Sequence, residues 1–66
     1  MENLDLMTIG ELYAFSEKNR NPELSVYARN RADAIAKRQA GQIQAALILD
    51  ETCDRIYKQL PKELKW

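Results

Sequence analysis

Tyr27, Arg31 and Arg38 are the residues of this chain best placed to do chemistry together. Spacings of four and seven put all three on one helix face, with Ala34 between them. Arginine offers a planar fork of donors that matches phosphate, and tyrosine offers a ring on which a base can stack. Arg20 can join them from a preceding loop. With its charges free, such a stripe would bind nucleic acid or a small anionic nucleotide. The competing reading pairs Arg31 and Arg38 with Asp50, Glu51 or Asp54 of a facing helix and makes Tyr27 an aromatic at the core edge. The sequence favours this second reading. Overall charge is zero, and a dedicated DNA-binding domain usually carries a strong basic excess.

The other reactive types point away from catalysis. Cys53 is the only cysteine, and there is no histidine. A nucleophilic thiol or serine needs a base beside it, and one thiol cannot build a zinc site. Asp50, Glu51 and Asp54 form one acidic cluster, but carboxylate metal sites in helical bundles usually add histidine. The two glycines, Gly10 and Gly41, lie too far apart for a phosphate-binding loop. The expectation is a protein that is not an enzyme, with no cofactor and no metal.

Those side chains must be positioned by very few elements. A chain of 66 residues allows one small domain, spanning 1–66. At this size only about 60% of the unfolded surface is buried, so outside support is usual. A lone cysteine cannot form an internal disulfide, which leaves oligomerisation. The unpaired thiol and the acidic start, Met1 to Asp5, fit a cytoplasmic protein without a secretion signal. No apolar run approaches the roughly 20 residues of a membrane span. Residues 1–17 hold Glu2, Asp5, Glu11 and Glu17 and no basic residue. Residues 18–44 hold Lys18, Arg20, Arg29, Arg31, Lys37 and Arg38 against Glu23 and Asp33.

The pattern predicts an all-α fold: a short N-terminal helix and then a two-helix hairpin. Thr8 and Glu11 form a capping-box signature ahead of Ile9, Leu12, Tyr13 and Phe15, opening a helix over 9–18. Asn21-Pro22 reads as N-cap plus first-turn proline of a helix over 22–40. Gly41 is a natural stop, after which a third helix over 42–60 ends before Pro61; the alternative is one long helix through Gly41, and the hairpin is favoured. Residues 61–66 form a tail or a short extra turn.

On the second helix Leu24, Ala28, Ala32, Ile35 and Ala36 share a face, with Gln39 at its end. On the third, Ala45, Ala46, Leu49, Cys53, Ile56 and Leu60 do so. These stripes are expected to meet, with Leu12 and Phe15 of the first helix covering one flank. Leu47, with Ile43, and Ile48 are left over. They predict a protein interface, most simply a homo-oligomer, preferably a dimer, in which two hairpins complete a helical bundle. Trp66, two positions from Leu64 and flanked by Lys62 and Lys65, is expected to fold back over the flank opened by Leu47 or Ile48, with an exposed docking peptide as the alternative; as a large aromatic it is a candidate interface residue in either case.

Gly41, Ala46 and Cys53 have a spacing that resembles the second half of a tetratricopeptide repeat. The resemblance covers the turn and third helix and implies hairpin geometry alone. The first half departs from it, with Asp33-Ala34 where a Leu-Gly pair is expected, and a solenoid needs about three repeats. The expected function is a non-enzymatic interaction or regulatory protein acting through an apolar oligomer or a larger protein partner. Binding of nucleic acid or a nucleotide through Arg20, Tyr27, Arg31 and Arg38 is the alternative, and an inhibitor of a host protein carried by a mobile element is a third.

Overall fold

A computed structural model describes residues 3–66; Met1 and Glu2, part of the acidic start, lie outside the described residues. Three α-helices follow in order: α1 (Ile9–Lys18), α2 (Pro22–Gln39) and α3 (Ile43–Gln59). Short 3-10 turns flank them at Leu4–Leu6 and Lys62–Leu64. The expected short helix and hairpin are therefore present, with helix ends within one residue of those read from the sequence. The first 3-10 turn has no counterpart in that reading.

Local chemistry explains the boundaries. Thr8 Oγ1 accepts from the Glu11 amide at 3.2 Å, and Glu11 Oε1 accepts from the Thr8 amide at 2.9 Å, a complete capping box. The Thr8 amide, and then its hydroxyl, hold the Glu11 carboxyl below the usual range. Asn21 Oδ1 accepts from the Glu23 and Leu24 amides at 2.9 and 3.2 Å, and Pro22 supplies the first turn of α2. At the other end Gly41 sits at φ +79°. The Gln42 amide donates to the Lys37 carbonyl at 2.8 Å and the Gly41 amide to the Arg38 carbonyl at 3.1 Å. This is a Schellman motif, which needs the left-handed conformation at its glycine. It turns the chain sharply and makes the hairpin.

Helix α2 is central, and both α1 and α3 pack on it. The Ser25 hydroxyl donates to the Ser16 carbonyl at 2.7 Å, and the Tyr13 hydroxyl donates to Asp33, fastening α1 to α2. On the α3 side, the Cys53 thiol points at the Tyr27 carbonyl oxygen at 3.8 Å, and Arg31 reaches Asp50 at 3.0 Å. This antiparallel register puts Ala34 opposite Ala46, and both are fully buried. Small side chains there let the two helices approach closely.

The expected core face of α2 needs correction. Leu24, Ala28 and Ala32 are buried as expected, but Ala36 and Gln39 are exposed, while Tyr27 and Ala34 are buried. The face turned to α3 is the Tyr27–Arg31–Ala34–Arg38 stripe, within an arc of about 60°. α2 must serve a helix on each side, so its buried arc is wider than a single stripe. The expected place of α1 also changes: Leu12 is buried and Phe15 half-buried, but α1 packs on α2 and does not flank α3.

The core is Leu4, Leu12, Leu24, Tyr27, Ala28, Ala32, Cys53 and Leu60, with Leu64 and Trp66 packed against it. Each large apolar side chain buried there contributes about 1.5–3 kcal/mol. Its α2 and α3 members all lie toward the end of the hairpin away from Gly41. Every residue from Ala36 to Gln44 is exposed. The turn end of the hairpin thus projects as a bare two-helix arm, consistent with a long axis of 34 Å against 22 and 18 Å for the others.

Candidate functional site

Two regions hold the residues singled out by the sequence. In the first, side chains from the first 3-10 turn, from α3 and from the last residue meet those of α2. The Tyr27 hydroxyl donates to Asp5 Oδ1 at 2.7 Å and accepts from Arg31 Nη2 at 2.9 Å. Arg31 Nη1 donates to Asp50 Oδ1 at 3.0 Å, and Arg38 Nη2 donates to Asp50 Oδ2 at 2.6 Å. One carboxylate thus takes two guanidinium groups, one on each oxygen, which is the charge-assisted pairing favoured by arginine. Arg31 Nε lies 3.2 Å from Asp5 Oδ1, but off-line, and this buried N–H has no hydrogen-bond partner among the described residues.

Trp66 closes the group. Its indole N–H donates to Asp5 Oδ2 at 3.1 Å. Its ring stands edge-to-face against Tyr27 at 4.9 Å and against Tyr57 at 4.7 Å between centroids, an arrangement favoured by the ring quadrupoles. The Tyr57 hydroxyl donates to the Trp66 carbonyl oxygen. Burial is the main cause that pushes the Tyr27 phenol above its ordinary range, with the Asp5 carboxylate adding to it and Arg31 opposing.

Tyr27, Arg31 and Arg38 are therefore brought together, with Asp50 as the partner of both arginines. Arg20 is not part of the group; it is exposed on the connection between α1 and α2. The sequence reading missed Asp5, which holds Tyr27, Arg31 and Trp66. A lone acid near the start of a chain carries no periodic signal, and a contact across 61 positions leaves no trace in local spacing. Any external anion reaching Arg31 must displace a carboxylate already there.

The second region is the arm. Ile43, Leu47 and Ile48 are 49%, 46% and 64% exposed. Ile43 and Leu47 stand about 40° apart around α3, with Ile48 a further 100° round on the same outward half. Ala45 and Leu49 are half-buried against α2, and Ala46 is fully buried. Trp66 does not cover these residues, contrary to expectation. It packs beside Tyr57, ten positions along α3 from Leu47, or about 15 Å of helix. The reason is polar: the indole N–H has a carboxylate to bind beside Tyr27, and the arm offers it only apolar side chains. Leu6 and Val26 are exposed too, away from the arm, and did not stand out in the sequence.

Cys53 is fully buried, and that burial is the main cause pushing its thiol up to about 11. Among the described residues no three His, Cys, Asp or Glu side chains gather as a metal site. They enclose no pocket, and none of their helices is long and apolar enough to cross a membrane. Comparison with protein-family models, curated proteins and solved structures found no match.

Proposed function

We propose that this chain is a non-enzymatic interaction protein that works through the apolar outer side of its hairpin arm. One observation carries the reading: the arm lies beyond the core, and Ile43, Leu47 and Ile48 remain about half or more exposed there. Apolar side chains grouped on one projecting element mark an association surface. The preferred occupant is a second copy, with two hairpins packing along α3 to complete a four-helix bundle in the cytoplasm; a larger protein partner is the other.

Support for a non-catalytic role comes from how the reactive groups are used. Cys53 is buried with a raised pKa, the opposite of an activated thiol. Asp5 and Asp50 are occupied by Tyr27, Trp66 and two arginines.

Sizing coupled to light scattering tests the reading. The wild type should show a mass above one chain at micromolar concentration, and Leu47→Glu or Ile48→Glu should return it to one chain without loss of helical signal. A wild type that is a folded single chain at all concentrations, with no partner that loses affinity for Leu47→Glu, would overturn it.

A further inference from the structure

Three unlike donors converge on Asp5: the Tyr27 phenol, the Arg31 guanidinium and the Trp66 indole. Phenol and guanidinium meet Oδ1, and the indole N–H meets Oδ2. A planar group with two negative oxygens is what such a set recognises. The donors belong to α2 and to the residues following the last 3-10 turn, which are well anchored. Tyr27 is buried, and Trp66 is wedged between two tyrosine rings. The acceptor sits on a three-residue 3-10 turn and remains 46% exposed.

The internal fit is incomplete. Asp5 satisfies Tyr27 and Trp66 but leaves Arg31 Nε without a hydrogen bond. The carboxylate is tethered by its own backbone, whose amide is held by Asn3 Oδ1 at 2.9 Å. A carboxylate free to rotate could line up with all three donors. A buried donor left unmet opposes folding, so a better-aligned acceptor has something to gain.

We propose that Tyr27, Arg31 and Trp66 form a carboxylate-recognition site that the chain closes with its own Asp5, and that an acidic side chain presented by another chain takes the place of the Asp5 carboxylate when that half-exposed side chain turns out to solvent, Leu4 beside it staying in the core. The opened site presents an aromatic edge and a guanidinium already oriented by Asp50. It lies apart from the apolar arm and stands or falls independently of it.

The test is chemical rescue. Asp5→Ala removes the internal carboxylate and leaves the three donors, and formate is the probe, against chloride at equal ionic strength. The melting temperature of Asp5→Ala should rise by several degrees more in formate than in chloride, saturably, as for any ligand that binds only the folded state. Emission from Trp66, the only tryptophan, should change over the same concentration range. The wild type, whose site is filled, should show at least tenfold weaker response, and Asp5→Ala with Arg31→Ala should show none. If Asp5→Ala is unfolded in chloride, recovery of helical circular dichroism in formate is the equivalent result. Equal behaviour in formate and chloride, folded or unfolded, would overturn the proposal, as would an undiminished response after Arg31→Ala.

Discussion

Trp66 and Asp5, 61 positions apart in sequence, are joined by an indole N–H to carboxylate hydrogen bond of 3.1 Å. This contact ties the last segment of the fold to the first, across the face of Tyr27. The tryptophan therefore serves the fold as a lid over a polar cluster, and the half-exposed apolar arm has no such cover.

That contact can be dissected. Trp66→Phe keeps a ring between Tyr27 and Tyr57 and removes only the N–H, so the loss should be about 1 kcal/mol, the usual worth of one hydrogen bond. Trp66→Ala also removes the ring, and the loss should rise to about 2–4 kcal/mol. Urea unfolding of the two variants reads the difference. Equal losses would show that the ring packing contributes little.

Asp50 should matter more than its partly exposed position suggests. It alone pairs with both Arg31 and Arg38. Asp50→Ala leaves Arg38 without its carboxylate and Arg31 with the off-line Asp5 alone. The expected cost is about 1–3 kcal/mol, between that of an exposed ion pair and that of a buried one broken on one side. Arg38→Ala should cost less than Arg31→Ala, because Arg38 is about half exposed and Arg31 also bonds Tyr27. Thermal unfolding of the three variants checks the order.

Gly41→Ala tests the hairpin turn. No heavy atom lies within 4 Å of the position an added Cβ would take, so crowding is not at issue. The cost comes from holding an L-residue at φ +79°, about 1–2 kcal/mol. A drop of this size in urea stability is expected. An unchanged or raised stability would indicate one continuous helix through this position.

Cys53 gives a pH dependence with a definite sign. Its folded pKa is raised from an ordinary 9.0 to about 11, chiefly by burial. The fold therefore favours the neutral thiol, and this contribution is fully present below pH 9 and is lost as pH rises from there through about 11. Cys53→Ala should show a flatter fall in stability across that window than the wild type. At neutral pH the native thiol should resist a disulfide exchange reagent and react only after denaturation.

Leu47→Glu and Ile48→Glu should leave the stability of a single chain within about 0.5 kcal/mol, because both side chains are exposed. Dilute thermal unfolding, where association is absent, measures this. A large loss in dilute solution would mean that these residues support the chain's own fold.

Helix existence, type and ends were legible in the sequence because each rests on contacts within four residues. Thr8 and Glu11, Asn21 and Pro22, and Gly41 carry their own instructions, since an N-cap or a left-handed glycine satisfies backbone groups locally. The surplus of Ile43, Leu47 and Ile48 was legible too, as a matter of helical angle. Tertiary structure alone decided which faces meet. Periodicity places Tyr27, Arg31, Ala34 and Arg38 beside the alanine stripe, yet it cannot say that α2 lies between two helices and buries part of each stripe. Nor does it bring Asp5 to Arg31 or carry Trp66 past the arm to the Tyr27 cluster. These pairings join positions tens of residues apart, and their partners were chosen by where the packed helices left a donor and a carboxylate within reach.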